Sequence, residues 1–486
     1  MKRFVLLLGG GRMQLPALEG AHKLGLGVVC FDAKADVLAR PLADHFVVCD
    51  ISQKDACLEA AKQATKQFPL HGVLTVGTDF STTVAWVAVG LGLPGIPYEV
   101  AQRAKDKGLM RACFAENGVA SPRYHVWTKE VGTDFQPSFG LPCVVKPADS
   151  MGARGVRLVT SNQELAVALD EASGHSPTGR VIVEQFIDGP EFSLDSIVRD
   201  GKLHRMGLAD RHIVFSPYFV EIGHTLPSRF GPEVIESLWV EFEKGVRALG
   251  IRNGAAKGDV KLSSSGPMIG EIAARLSGGF MSGWTYPLSS GRDPTLWALE
   301  TALGEPLTPQ AEDKRSPVVE RAWISIPGLL RNIGDLEAVR RIPGVAEVFV
   351  NLRPGQTMSF PRNNVEKAGN LICTGATFEL AETSARRARN LLSLDLGPNQ
   401  RLTDAFLADD DQPWWFEGAA SCDPAHWWER SASEGWQDPY GNTVAELLRA
   451  AGLEADKANL SPRETRAYFK GGLQGLNYVR ASQKSL

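Results

Sequence analysis

Short apolar runs alternate with amphipathic stretches through the first hundred residues, and no other feature restricts the fold as much. The run Phe4–Leu8 ends in Gly9-Gly10-Gly11, a helical stretch follows over about 15–24, and GVVCFD closes on Asp32. Further runs at 46–50 (FVVCD) and 72–79 (GVLTVGTD) flank an amphipathic stretch near 54–67, whose start SQKD (52–55) has the pattern of a capping box. Strands alternating with helices in this way predict a parallel sheet covered on both faces. The glycine turn is not a dinucleotide fingerprint, because Gln14 stands where GxGxxG needs its last glycine. It is expected to be a tight turn walling a cleft, with Asp32 a strand-end polar residue.

Residues 94–122 predict a helix between proline and glycine punctuation. A second α/β region follows, with strand LPCVVKP (141–147), loop ADSMGARGV, and a helix from Ser161 with a capping box to Glu164. Residues 180–204 alternate like paired strands, with Asp-Gly turns at 188–189 and 200–201. Residues 258–279, GDVKLSSSGPMIGEIAARLSGG, predict a hairpin in which VKL and MIGEIAA are neighbours around the SSSGP turn. Asp259 and Glu271 would then point into one cleft, with Arg275 four residues after Glu271.

From about residue 308 the runs VVERAWISI, VAEVFVNL and NLICTGATF and the Arg-rich ETSARRARNLL predict a smaller α+β domain. The last ninety residues carry five of the eleven tryptophans (414, 415, 427, 428, 436), expected to pack onto that domain as core. They finish in helices, one opening on SPRE at Ser461. The fold class expected is α/β and α+β multidomain. Its parts are a parallel α/β domain (1–100), a nucleotide-binding unit (101–307), a C-terminal α+β domain (308–400) and a Trp-rich extension (401–486).

Composition excludes several functions. A net charge of −4 without a polybasic run argues against nucleic-acid binding. Seven cysteines without a CxxC pair fit a reducing cytosol and no structural zinc. The N-terminal apolar run is too short for a signal peptide, and no other segment reaches eighteen apolar residues, so a soluble, cytoplasmic protein without a membrane partner is expected.

Lys146 ends a buried apolar strand beside Ser150, Gly152 and Gly155. Burying a lysine is costly unless it is paired, and a ligand phosphate approached by glycine backbone is an economical partner. In VEQFIDGPE, a strand backbone can meet an adenine edge while Glu184 and Glu191 sit at opposite ends of a nucleoside. Asp259 and Glu271 are hard oxygen ligands that suit Mg²⁺ carrying a polyphosphate. For substrate, Arg211 or Arg229 can pair with a carboxylate, and His212 or His224, near Glu221, can take an amine proton, although a structural role for each is as good a reading.

Taken together, Lys107 after DK, Lys146 with its glycine loop, VEQFIDGPE, the Asp259/Glu271 pair and AARLSGG resemble the ATP-grasp carboxylate–amine ligases over roughly residues 1–400. The resemblance implies an ATP-grasp architecture with a two-lobed nucleotide-binding unit, and ATP with Mg²⁺ (or Mn²⁺) as cofactors. It places Lys107 and Lys146 on the phosphates under loop 149–155 (Ser150, Gly152, Gly155). Glu184, Gln185, Phe186 and Ile187 would hold adenine and Glu191 the ribose. Asp259 and Glu271 would bind metal, and Arg275 would face the transferring phosphoryl group. Most of the family has Asn two residues after the second acidic ligand; this chain has Ala273. EIAARLSGG and the preceding VKL are similar to bacterial L-amino-acid ligases of the dipeptide-forming kind.

The expected activity is joining a small carboxylate to an amine through an acyl-phosphate, an amino-acid amide or dipeptide being one product class. Homodimer assembly stays open. Two alternatives remain: a bicarbonate-dependent carboxylase or carbamoyl-phosphate-type ligase, and a non-catalytic nucleotide-binding protein on the same scaffold.

Overall fold

The N-terminal alternation folds as a parallel sheet in the order His45–Val48, Gly27–Asp32, Phe4–Leu8, Leu70–Leu74. Its central strands are buried on both faces, as helices on both sides require. Helix Leu15–Lys23 covers one face, and Lys54–Ala64 with Ser81–Gly90 the other. The computed structural model describes residues 2–132, 134–310, 314–350, 352–453 and 457–485. Among these, no helix is long and apolar enough to cross a membrane.

The residues of the glycine turn are used structurally. Asp32 Oδ2 accepts the Gly10 N–H at 2.7 Å, and the buried Gln14 amide exchanges two hydrogen bonds with the Val76 backbone. The capping box expected at Ser52 does not form. Asp50 takes the Ser52 N–H, and the helix starts later behind Gln53, which makes no side-chain cap. The helix expected within 94–122 is two helices, Tyr98–Lys105 and Lys107–Glu116. Asp106 breaks the first and caps the second by accepting from Leu109 N.

The chain folds into two compact units. The first holds residues up to Met151, Val159–Arg211 and Thr225–Val318. Besides the parallel sheet it contains an antiparallel sheet of Tyr124–Trp127, Val181–Gln185 and Cys143–Pro147. A second antiparallel sheet runs Gly266–Ala273, Gly254–Ser263, Glu191–Arg199, Lys202–Val214. The Asp-Gly turn at 200–201 joins paired strands, as expected. The one at 188–189 does not, because Val181–Gln185 already has a partner on each side and the chain leaves for the other sheet. Gly189 makes that exit at φ +124°, and a Cβ there would lie 2.0 Å from the Leu262 carbonyl oxygen.

The second unit holds Gly152–Leu158, His212–His224 and the chain from Val319 onward. Two short middle segments thus group with the C-terminal part of the chain. Strands Val318–Trp323, Gly369–Thr374 and Val345–Val350 lie in one sheet, backed by the Arg-rich helix Phe378–Leu391 through Ala381, Ala385 and Ala388. Asn351, within the expected VAEVFVNL run, lies outside the described residues.

The Trp-rich extension is core. Phe406, Leu407, Tyr478 and Val479 share one cluster with Trp323, Leu330 and Leu394. Trp414, Trp427 and Trp436 pack with Phe416, Tyr468 and Phe469 in another. Helix Pro462–Lys484 starts at the expected SPRE segment, where Ser461 and Glu464 form a capping box. Phe469, fully buried and in contact with five other aromatic rings, centres this packing. Phe469→Ala is expected to lower unfolding free energy by about 3–5 kcal/mol in denaturant titration. Deleting 402–486 strips one wall of the shared core and should give insoluble protein.

The second unit also buries a charged group. His224 is fully buried, with Nδ1 2.8 Å from Glu320 Oε2 and Nε2 3.4 Å from Glu221 Oε2. Burial alone would lower its pKa, but Glu221 and Glu320 outweigh burial and raise it above the ordinary 6.5. A raised pKa contributes stability that is full below the unfolded value and is lost as pH rises through the folded one. Melting followed by tryptophan fluorescence should therefore show a decline starting above about pH 6.5, and His224→Gln should remove it.

Candidate active site

Alternation along Gly254–Ser263 sorts its residues onto two faces. Ala256 and Val260, with Phe192, Leu194 and Ile272 of the neighbouring strands, pack against Leu238, Phe242 and Val246 of helix Pro232–Leu249. Lys257, Asp259 and Lys261 therefore share the opposite face. The hairpin places Asp259 directly across from Glu271, and a bulge follows at Asp259/Val260. Two facing carboxylates repel each other unless cations relieve them. Asp259 pairs with Arg211 Nη1 at 2.7 Å and with Lys257, while Glu271 lies 3.7 Å from Lys107 Nζ. Burial would raise the Glu271 pKa, yet Lys107, with Lys257 and Lys146, outweighs burial and Asp259 and holds it below the usual range. Ala273 sits across the ladder from Lys257.

Buried cations gather beside this pair. Lys107 and Arg111 lie one turn apart on helix Lys107–Glu116, and Lys146 ends strand Cys143–Pro147. Glu184, 3% exposed, receives Arg111 Nε at 2.8 Å and Lys146 Nζ at 2.7 Å. Arg111 Nη2 also donates to the Gly270 carbonyl of the hairpin at 2.5 Å, and Lys107 Nζ donates to the Ser150 carbonyl at 2.8 Å. Burial raises the Glu184 pKa, but Arg111 and Lys146 outweigh it and keep the carboxylate well ionised. Burial lowers the Lys146 pKa; Glu184 opposes this, and the neighbouring Arg111 and Lys107 add to it. Arg111 and Lys146 share the fully buried Glu184, and Lys107 stands nearby between Glu271 and the Ser150 carbonyl; an incoming polyanion would offset this positive charge.

The Glu184 side chain is committed to Arg111 and Lys146, and its strand is paired on both sides, so the adenine contact expected of it does not fit. Beyond the strand, the Phe186 ring lies 5.3 Å from Lys261 Nζ, and Ile187 is buried. Gln185 bonds Arg123 through both backbone and side chain. Glu191 is ion-paired with Arg211. Arg275 donates through Nε to Thr78 O and through Nη1 to Leu276 O, both at 3.0 Å. Ser150 belongs to the first unit, whereas Gly152 and Gly155, both at positive φ, belong to the second.

Of the substrate candidates, Arg211 joins the carboxylate face, and Arg229 N donates to Asp210. Glu221 and His224 belong to the second unit's buried network, and His212 to the same unit. Arg111 and Lys257 escaped the sequence reading. Both lie one same-face step from a selected residue, four after Lys107 on a helix and two before Asp259 on a strand, and that periodicity was the available signal.

The donor set fits Mg²⁺ held with a nucleotide. Among the described residues no cluster of three or more His, Cys, Asp or Glu can hold a metal alone. Two carboxylates plus phosphate oxygens are a usual Mg²⁺ environment. Burial pushes the Cys30, Cys57 and Cys373 thiols up to about 12, away from the reactive thiolate.

Three family models match this chain: an ATP-grasp N-terminal domain over residues 18–95, an ATP-grasp domain over 139–283, and L-amino acid ligase C-terminal domain 2 over 322–397. A D-alanine–D-alanine ligase of Anaeromyxobacter dehalogenans is 32% identical over 41% of this chain and 61% of its own length. Carnosine synthase 1 of Gallus gallus is 26% identical over 62% of this chain and 35% of its own. The chain thus spans about three fifths of the first relative and about a third of the second. The crystal structure of an L-amino acid ligase from Bacillus licheniformis superposes with a TM-score of 0.70 at 23% identity, covering 81% of this chain and 99% of that one, a likeness of fold alone. From these matches, residues 139–283 are an ATP-grasp domain, and the chain as a whole is similar to ATP-grasp ligases.

Proposed function

We propose that this protein uses ATP to join the carboxylate of a small acid to an amine, with an amino-acid amide or dipeptide as product. The observation that carries this reading is the surplus of buried cations, Lys107, Arg111 and Lys146, beside two facing carboxylates. A carboxylate does not condense with an amine at neutral pH, because oxide would have to leave. Transfer of the ATP γ-phosphoryl group to a carboxylate oxygen releases ADP and gives an acyl-phosphate. The amine then attacks the carbonyl carbon, phosphate departs with the C–O electrons, and the amine proton passes to solvent or a nearby base.

The residues act by positioning and by neutralising charge. Lys107 and Lys146 hold the phosphates, and Arg111 fixes Lys146 through Glu184. Residues 185–187 face the base, and Glu191, oriented by Arg211, serves the ribose. Asp259 and Glu271 would hold Mg²⁺, which supplies charge neutralisation to the phosphates when bound. Arg275, anchored through Nε and Nη1, presents its remaining edge to the transferred group.

ADP release should require both an acid and an amine, found by screening paired amino-acid pools. Glu271→Gln should cut that release about 10²–10³-fold while the protein still melts cooperatively, and undiminished turnover would remove Glu271 from the metal site. Glu184→Gln leaves Lys146 and Arg111 buried without their counter-charge, at an expected cost of about 3–5 kcal/mol in unfolding free energy. Because the Glu184 pKa is lowered from 4.5, its contribution is full above that value and is lost as pH falls through the folded one. The wild type should lose this increment in acid and the variant should show no such loss; parallel acid profiles would contradict the assignment.

A further inference from the structure

We propose that the second unit carries a separate binding site for a small amphipathic anion, a carboxylate or phosphate on an apolar ring-sized body, in a cavity of about 610 Å³ beside the terminal helix. That volume lies within the range of small-molecule pockets. The cavity has a definite cause in the chain. Helix Pro462–Lys484 is interrupted at Gly471 and Gly472, the latter at φ +61°, and a Cβ on Gly472 would come within 2.9 Å of the Trp415 ring. The bend thus admits Trp415, and the helix from Gly471 onward forms one wall. The opposite wall comes from Trp323 and the segment 389–396, inside the region matched at 322–397. The helix wall lies beyond that match, and no lining residue belongs to the ATP-grasp match at 139–283.

The lining joins aromatic surface to a cationic surplus. Trp323, Trp415 and Tyr440 supply ring faces, and Arg331, Arg389, Arg480 and Lys484 supply positive charge. The acids in the lining are Asp395 and Asp438, and both are engaged. Asp438 accepts from Tyr440 N, Asn442 N and Asn442 Nδ2, and Asp395 accepts from Asn332 Nδ2. Of the cations, Arg480 is shared with Glu464 at 3.1 Å.

Two buried donors are unspent. Trp323 Nε1 and Arg389 Nε have no hydrogen-bond partner among the described residues, and Trp323 is only 4% exposed. The Arg389 guanidinium lies 3.4 Å from the Tyr440 ring centroid, which holds its plane in place, and Tyr440 is itself tied to Ala322 O. Buried donors left unmet are costly, and a guanidinium oriented on an aromatic ring in the cavity lining matches a carboxylate or phosphate flanked by apolar surface.

The test is calorimetric titration of the full chain, saturated with Mg²⁺ and a non-hydrolysable ATP analogue so that the nucleotide site is filled. The probes are phenyl phosphate and 3-phenylpropionate, with 3-phenylpropylamine and inorganic phosphate as controls. At least one aromatic anion should bind saturably with a Kd below about 1 mM, and at least tenfold more tightly than either control. Which anion binds more tightly distinguishes phosphate from carboxylate as the preferred head group. Arg389→Gln removes the oriented charge, and Asn477→Trp fills the cavity from an exposed lining position. Each should weaken binding at least tenfold while the melting curve stays cooperative. Absence of saturable binding by both anions, equal binding of the amine, or unchanged binding in either folded variant overturns the site.

Discussion

A single buried carboxylate, Glu184, holds the arrangement of the first unit together. It sits in an inner strand of its sheet and receives one cation from a helix, Arg111, and another from the adjacent strand, Lys146. Through Arg111 it also reaches the Gly270 carbonyl, so the hairpin that carries Glu271 is registered against the same charge. Buried ion pairs are weak sources of net stability, because desolvation takes back most of the attraction. What this one supplies is position: a helix, a strand and a hairpin from distant parts of the chain meet in one geometry around it.

The sequence disclosed what rests on local chemistry. Apolar runs ending at glycine or aspartate marked the parallel sheet, and the SSSGP turn marked the hairpin whose carboxylates face each other in the structure. Lys146 stood out because a lysine closing an apolar strand is anomalous. Partnership across sheets stayed hidden. Glu184 was expected at adenine, because nothing in VEQFIDGPE shows that two cations claim its side chain. Arg111 went unnoticed because an arginine on an amphipathic helix looks solvated until its neighbours are known. The Asp-Gly pair at 188–189 has the same local chemistry as the one at 200–201, but pairing partners decide whether such a turn closes a hairpin.

The C-terminal region shows the same division between local and distant information. Its SPRE segment, with proline in the first turn, marked the start of the last helix, and the density of tryptophan marked a core. The grouping of 152–158 and 212–224 with this region was not legible, since both are short segments within a stretch that otherwise belongs to the first unit. Such insertions follow from tertiary contacts, which composition does not record.

The row of charges on the sheet face has one more consequence. Glu191 pairs with Arg211, Arg211 with Asp259, and Asp259 with Lys257, so acids and bases alternate and sum to zero. A row already balanced exerts little long-range pull on a free cation. The unbalanced charge lies instead among Lys107, Arg111 and Lys146, where it attracts polyanions. On the function proposed above, an order of arrival follows: the cationic end recruits the phosphates, and Asp259 and Glu271 receive a metal ion already bound to its nucleotide.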